Sequence, residues 1–184
     1  RLEIYYKKEL IGKNYRFINN LEFTQLIDNK FLTSLLFEKW SKKSWLVNTK
    51  EELKLVLPKI KTSRVVLKPL MESGGKNVLI LSTEAAARKI GNDHLWLVQE
   101  FIDSSRGVPG FSKGVHDLRL VFVNEKIIYA YIREPAKGKL LANLAQGGSL
   151  SIVPLAKIPK SVLPIANRAN QLFETFVPRI YSID

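Results

Sequence analysis

Cysteine is absent from this sequence of 184 residues. Disulfides, thiolate metal sites and a cysteine nucleophile are therefore excluded within it. The two histidines, His94 and His116, do not have the spacing of metal ligands, and we predict that neither binds a metal. The pattern G-x-S-x-G occurs once, as GFSKG at 110–114, but it lies in a stretch predicted as a long loop and not at the strand-to-helix turn of a nucleophile elbow, so covalent serine catalysis is disfavoured. Hydrolytic zinc chemistry is disfavoured because no His-rich cluster is present.

Long apolar runs are also missing, because no stretch approaches the roughly 18 residues that a bilayer-spanning helix needs. The first residues, Arg1 to Lys8, lack the hydrophobic region of a signal peptide. We therefore expect a cytoplasmic protein that does not contact a membrane. With 46% apolar residues, the sequence can still fill the core of one domain or of two small lobes.

Acidic residues are few: 17 Asp and Glu stand against 29 Lys and Arg, and the net charge of +12 suggests an anionic partner. The basic residues are scattered along the chain rather than gathered on one helix. Neither a recognition-helix motif nor the aromatic signature of an RNA-binding domain accompanies them. Binding of nucleic acid is therefore disfavoured, although it stays an alternative that a steep salt dependence of binding would reveal.

The stretch Arg64 to Leu81, RVVLKPLMESGGKNVLIL, has an arrangement that apolar packing does not require. A β-rich run ends in Lys68 and a proline, passes the pair Gly74-Gly75, and resumes as a second β-run, which predicts a hairpin. Glycines let the backbone approach a ligand, and the N–H groups of such a loop can bind an anion. With an ammonium at the end of the strand, a polyphosphate is the expected ligand. An ordinary hairpin whose lysine points to solvent is the alternative.

The sequence predicts an α+β fold. Apolar periodicity, capping residues and turn residues place the strands at 2–6, 15–18, 44–48, 65–68, 78–81, 95–102, 117–123, 126–133, 150–155 and 179–183. A turn at 12–14 separates the first two strands. Helices are predicted at 20–40 with a break at 28–29, after the capping box formed by Thr49 and Glu52, at 84–90 with Thr83 as the cap, and at 161–176.

Three charged residues share a face of the hairpin predicted at 117–133. Asp117 and Arg119 lie two positions apart on one strand, and Arg133 lies near the end of the other. Such a face is costly to bury unless a ligand or a counter-charge meets it, so either a binding site or a surface ion pair is expected. Lys30, near the start of a helix, could likewise face an anion or be solvated.

Taken in order, these pieces resemble the ATP-grasp superfamily, and within it the RimK-like glutamate ligases and bacterial glutathione synthetases. The resemblance covers about Tyr15 to Asp184 and rests on the motifs IDNK, VVLKPL with SGGKNV, VQEFI, HDLRLVFVNEKIIYAYIREPAKGK and NLAQGGS. It implies an ATP-grasp fold in which two α+β subdomains enclose a nucleotide. The expected division is an N-terminal segment at 1–42, a lid subdomain with the glycine loop at 43–99, and a C-terminal core subdomain at 100–184.

The resemblance also implies roles for individual residues. Those expected to bind ATP are Lys30, Lys68, Gly74, Gly75, Lys76, Gln99, Glu100, Phe101, Ile102, Asp117 and Arg119. Among them Lys30 and Lys68 would meet phosphates, the Gly74-Gly75 loop would close over these phosphates, and Glu100 with Phe101 would line the adenine. Arg133 and Asn143 would be catalytic, facing the phosphates and metal, and Asp184 would bind Mg²⁺.

The chemistry implied by the resemblance is ligation of a carboxylate to an amine. ATP activates the carboxylate as an acylphosphate, the amine attacks it, and ADP is released; the products would be a peptide, protein or small acid extended by an amino acid. Many relatives carry an arginine where this sequence has Leu141, so a non-catalytic ATP-binding module is the alternative. A Glu-x-Asn pair after Asp184 and a preceding domain, both implied by the resemblance, are not among these residues. We therefore expect a piece of a longer protein that is not catalytically whole.

Overall fold

The computed structural model describes residues 2–70, 74–89 and 95–184, which form an α+β fold. The helices are α1 (Leu2–Gly12), α2 (Leu21–Asp28), α3 (Lys30–Leu36), α4 (Lys50–Val56), α5 (Thr83–Ala86) and α6 (Leu163–Leu172). The strands are β1 (Ser44–Val47), β2 (Val65–Pro69), β3 (Leu79–Leu81), β4 (Trp96–Glu100), β5 (Asp117–Val123), β6 (Lys126–Glu134), β7 (Ser149–Ile152) and β8 (Ile180–Ile183).

The first sheet has the strand order β1-β4-β2-β3, and all of its pairs are antiparallel. One of its faces packs on α4 and α5 through an apolar cluster that includes Val47, Leu53, Val65, Leu67, Ala86 and Val98. The predicted capping box opens α4, because Thr49 accepts a hydrogen bond from the N–H of Glu52 while the carboxylate of Glu52 accepts one from the N–H of Thr49. The hairpin predicted on both sides of the glycine pair is confirmed, with Val65 opposite Leu81.

The second sheet has the order β7-β6-β5-β8 and is also antiparallel. Its apolar face packs on α6 and, from the other end of the sequence, on α2. Phe23 of α2 is fully buried, with its ring centroid 5.1 Å from that of Phe173 and 5.9 Å from that of Tyr181. Helix α2 therefore packs with β8, whereas the first sheet is built from residues 44–100.

The prediction of strands at 2–6 and 15–18 is wrong. Residues 2–12 form α1, and 15–18 have no regular structure. The alternating side chains of this segment suit a strand, but Tyr5 is buried and its hydroxyl donates a hydrogen bond of 2.8 Å to the carboxylate of Asp28. This contact with α2 stabilises the helix, and nothing local in the sequence indicates it.

The break predicted inside the long N-terminal helix is confirmed, because the side chain of Asn29 accepts hydrogen bonds from the N–H groups of Phe31 and Leu32 and so caps α3. Two helix boundaries differ from those predicted. Ser82, rather than Thr83, caps the short helix α5, and its predicted end at 90–91 lies outside the described residues. The last helix, α6, is shorter than predicted and has Pro164 in its first turn, as expected.

No helix within the described ranges is both long and apolar enough to cross a membrane. Each sheet has its own apolar cluster. The subdomain boundaries expected after residues 42 and 99 stay predictions.

The packing of α2 on the second sheet predicts the effect of one substitution. Phe23→Ala should lower the free energy of unfolding by about 3–5 kcal/mol, because it removes a fully buried ring and leaves a cavity. Tyr15→Ala is the control, since this aromatic side chain is 68% exposed and its loss should change stability by less than about 0.5 kcal/mol. Urea denaturation of the three proteins measures both effects. Equal effects would show that α2 does not belong to this core.

Candidate functional site

A cleft of about 730 Å³ lies between the two sheets. This volume is in the range of small-molecule sites. Apolar side chains of the first sheet form one wall, among them Val66, Ile80 and Leu97, and residues of β5 and β8 such as Leu118 and Ile183 lie on the other side. Those of the first sheet come from alternate positions of β2, β3 and β4, on the face that α4 and α5 leave uncovered.

Eight of the residues expected at the site line this cleft, namely Lys30, Lys68, Gln99, Phe101, Ile102, Asp117, Asn143 and Asp184. The other six, which are Gly74, Gly75, Lys76, Glu100, Arg119 and Arg133, are not part of its lining. Gly75, Arg119 and Arg133 nevertheless contact residues that are. The structure thus brings most of the predicted set together, while the roles of the individual residues stay predictions.

Lys68 lies near the end of β2 with its side chain in the cleft. Its ammonium donates a hydrogen bond of 2.8 Å to Oε1 of Gln99. Burial lowers the pKa of Lys68 below the ordinary value, and the negative charge of Asp184 opposes this shift. A partly buried cation that faces a cleft and has a neutral amide as partner can gain a stronger interaction from an anion.

The half-buried Lys30 begins α3 and fastens this helix to the end of β2. Its ammonium donates hydrogen bonds of 3.1 Å to the carbonyl of Pro69 and 2.8 Å to that of Leu70. The alternative of a fully solvated lysine is therefore wrong. Because Leu70 leads directly into the glycine loop, Lys30 is placed beside the base of that loop.

A network of four charged side chains joins three strands of the second sheet. Arg133 makes a bidentate pair with Asp117, with N–O distances of 2.6 and 2.8 Å, and also contacts Asp184 at 3.0 Å. Arg119 pairs with both carboxylate oxygens of Asp184. The charged face thus has internal counter-charges, and it borders the cleft through Asp117 and Asp184.

The pKa values of this network follow from burial and pairing. Burial raises the pKa of Asp117, and the hydrogen bond and positive charge of Arg133 oppose the shift. Burial lowers the pKa of Arg133, but its hydrogen bond to Asp117 and the two negative charges outweigh that effect and leave the pKa raised. The hydrogen bond to Asp184 raises the pKa of Arg119. Both arginines therefore stay charged.

The glycine loop touches the opposite side of the cleft. Gly74 and Gly75 have φ angles of +69° and +72°, which glycine adopts without strain. A Cβ on Gly75 would lie 2.6 Å from Oδ1 of Asn143, whereas one on Gly74 would meet nothing within 4 Å. The loop after β2 thus approaches the loop between β6 and β7 so closely that a side chain at 75 would force the Asn143 side chain to shift.

The strand β4 leads out of the first sheet past the cleft. Phe101 and the half-exposed Ile102 line the cleft, whereas the buried carboxylate of Glu100 accepts a hydrogen bond of 2.8 Å from the N–H of Lys61. The side chain of Glu100 therefore does not face the cleft, and only the backbone of Glu100 could contact a ligand there. Sequence reasoning also missed Ser44, which receives a hydrogen bond from Gln99.

The described residues contain no group of three or more His, Asp or Glu side chains that could hold a metal ion. Asp184 offers one carboxylate, and both of its oxygens are paired with guanidinium groups. Magnesium is often held by one or two carboxylates together with substrate phosphates. Asp184 fits that mode, as one ligand of a metal that a phosphate also binds. His116 faces the carbonyl of Gly114 at 2.9 Å, and His94 lies outside the described residues.

Solved structures with the same architecture identify the fold. A RimK domain ATP-grasp protein from Sphaerobacter thermophilus matches 98% of this chain and 62% of its own with a TM-score of 0.65 and 16% identity. The ATP-grasp ligase PsnB, in a complex with minimal precursor, Mg and ADP, matches 94% of this chain and 50% of its own with a TM-score of 0.59 and 13% identity. The chain therefore has the ATP-grasp fold, as its motifs predicted.

Sequence comparison narrows this class to one family. The pattern of the RimK-like ATP-grasp domain matches residues 28–180, and the chain belongs to that family. A probable alpha-L-glutamate ligase from Shewanella halifaxensis is 30% identical over 118 residues, which cover 61% of this chain and 24% of that protein. The chain thus spans about a quarter of the length of this curated relative.

The lowered pKa of Lys68 predicts a pH effect on stability. Between that pKa and the ordinary value of 10.5, the unfolded chain binds a proton that the folded chain lacks, so the free energy of unfolding rises with pH in this window. Lys68→Met should lose this contribution, so its stability relative to the parent protein should fall as pH rises. In the control Lys54→Met, which changes an exposed lysine, the difference should stay constant. Denaturant titrations at several alkaline pH values measure both differences; parallel curves for the two variants would contradict a lowered pKa of Lys68.

Proposed function

We propose that this chain is the nucleotide-binding core of an ATP-dependent carboxylate-amine ligase. One observation carries the proposal: Lys30 of α3, Lys68 of the first sheet and a carboxylate–guanidinium network of the second sheet converge on one cleft with an apolar wall. The apolar side suits a base, and the cations suit a polyphosphate. Because the chain spans only part of its relatives, the activity is proposed for the whole protein.

Lys68 is proposed to bind phosphate by exchanging a neutral partner for an anionic one. Its ammonium donates to the amide of Gln99, and a hydrogen bond between two charged groups is stronger than one to a neutral oxygen. Lys30 stabilises the backbone at the base of the glycine loop, which keeps the N–H groups of that loop near the same phosphates. Both lysines thus act on the anionic end of the nucleotide.

The network in the second sheet is proposed to align the reacting groups. Arg133 is held by Asp117 from the facing strand, so its guanidinium is fixed before any ligand binds. Asp184 is held by Arg119 and Arg133 and could turn an oxygen to Mg²⁺ while keeping one guanidinium partner. Bound ATP supplies the phosphoryl group that activates a carboxylate. Preorganised charges of this kind lower a barrier because they need no rearrangement during the reaction.

The substrates are proposed to be an acid and an amine, with an amino acid added to a peptide, a protein or a small acid. Glutamate is the first amine to test, because the relatives are named as glutamate ligases. A non-catalytic ATP-binding module is the second candidate. It is favoured by Leu141, whose apolar side chain lines the cleft at a position where an arginine is expected in a ligase of this group.

The contact between the glycine loop and Asn143 predicts a contrast between two neighbouring variants. Gly74→Ala and Gly75→Ala place the same strain on a positive φ, but only at 75 would the new methyl group collide with Asn143. Gly75→Ala should therefore weaken ATP binding by about tenfold more than Gly74→Ala, because the loop cannot close. Isothermal titration of ATP with the intact protein measures the difference. The lid assignment fails if the two variants bind ATP equally well.

Turnover separates an enzyme from a binding module. In the intact protein, ADP release should require an acid and an amine together, and Asp184→Asn should abolish it while keeping most of the ATP affinity. Glu51→Gln is the control, since it neutralises an exposed carboxylate on α4 and should leave ADP release unchanged. A coupled assay of ADP with glutamate and other amino acids measures this. ATP binding without ADP release under any combination would favour the binding module, and full activity of Asp184→Asn would remove Asp184 from the metal site.

A further inference from the structure

Three hydrogen bonds cross the cleft-facing side of the first sheet in one direction. Lys68 donates to Oε1 of Gln99 at 2.8 Å, Nε2 of Gln99 donates to Oγ of Ser44 at 2.8 Å, and Oγ of Ser44 donates to the carbonyl of Lys42 at 3.0 Å. Strand pairing produces this alignment, because Ser44 lies directly opposite Gln99 and Lys68 is a diagonal neighbour on the next strand.

The direction of these bonds fixes the orientation of the Gln99 amide. An ammonium can only donate, so the amide oxygen must face Lys68 and the amide nitrogen must face Ser44. The hydroxyl of Ser44 gives its proton to the carbonyl of Lys42, so its oxygen accepts from the nitrogen. Gln99 is only 8% exposed, and a turned amide would leave a donor facing a donor in a buried site.

Binding of a polyphosphate would break one of the two hydrogen bonds that hold the Gln99 amide, the one from Lys68. When Lys68 turns to a phosphate, its hydrogen bond to the oxygen of Gln99 weakens, whereas the hydrogen bond that the nitrogen of Gln99 donates to Ser44 lies on the far side of the amide and stays intact. Ser44 then keeps the amide oxygen, an acceptor, directed at the cleft. An exocyclic amine on a purine donates to such an oxygen, whereas a carbonyl at the same ring position would be repelled by it.

We propose that Ser44 is a positioning residue that acts through Gln99 to make the cleft select a 6-aminopurine nucleotide over a 6-oxopurine nucleotide. This inference rests on the proposed assignment of the cleft to a nucleotide. It assigns Ser44 no contact with the ligand. Ser44 determines whether the ligand faces the oxygen or the nitrogen of the Gln99 amide.

The test compares ATP and GTP affinities of the intact protein by isothermal titration. Ser44→Ala removes the hydroxyl, so the preference for ATP over GTP should fall by about tenfold, the size expected when a discriminating hydrogen bond is lost. Ser44→Thr keeps the hydroxyl and should keep the preference, whereas Ser44→Val, which has the shape of threonine, should lose it. Ser63→Ala, which changes an exposed serine outside the three hydrogen bonds described above, should bind both nucleotides as the parent protein does.

The same Ser44 substitution, made in the Gln99→Glu variant, shows whether Ser44 acts through Gln99. In Gln99→Glu both terminal atoms are acceptors, so no orientation needs to be held, and adding Ser44→Ala should leave the ATP to GTP ratio unchanged. An equal fall of the ratio in both backgrounds would overturn the inference, as would an unchanged ratio in Ser44→Ala alone. If the parent protein binds ATP, either result leaves the proposed function standing. If it binds neither nucleotide, the proposed function itself fails.

Discussion

The second sheet is constrained by the need to neutralise the buried charge of Arg133. Its guanidinium is almost completely buried on a strand, where an unpaired charge would be strongly destabilising. Asp117 meets it from the facing position of β5, and Asp184 reaches it from the residue that follows β8. Pairing therefore locks three strands in register and sets the positions of the charged groups at the edge of the cleft.

Elements with strong local signals could be predicted from the sequence. The hairpin at 117–133, the capping box at Thr49 and the break at Asn29 all depend on residues close in the chain, and all three were confirmed. The N-terminal segment could not be predicted, because its helix depends on a contact between Tyr5 and the distant Asp28. Alternation of side chains alone favours the wrong structure there.

In the candidate site, too, features with local sequence signals could be predicted and long-range contacts could not. Most of the site residues that the motifs identified line the cleft, including Lys68, Gln99 and Asn143. They could not predict how those residues pair, because partner choice depends on strand register and not on residue type. The position of Ser44 opposite Gln99 and the approach of Gly75 to Asn143 are of this kind.

The packing of Phe23 on Phe173 and Tyr181 has a consequence for how the protein is made. The first sheet uses one continuous stretch, 44–100, so its core can form while later residues are still being synthesised. The core of the second sheet needs both α2 and β8 and cannot close until β8 has left the ribosome. Its long-range contacts make it the slower part to fold, and α2 must stay exposed, with its apolar face unpaired, until then.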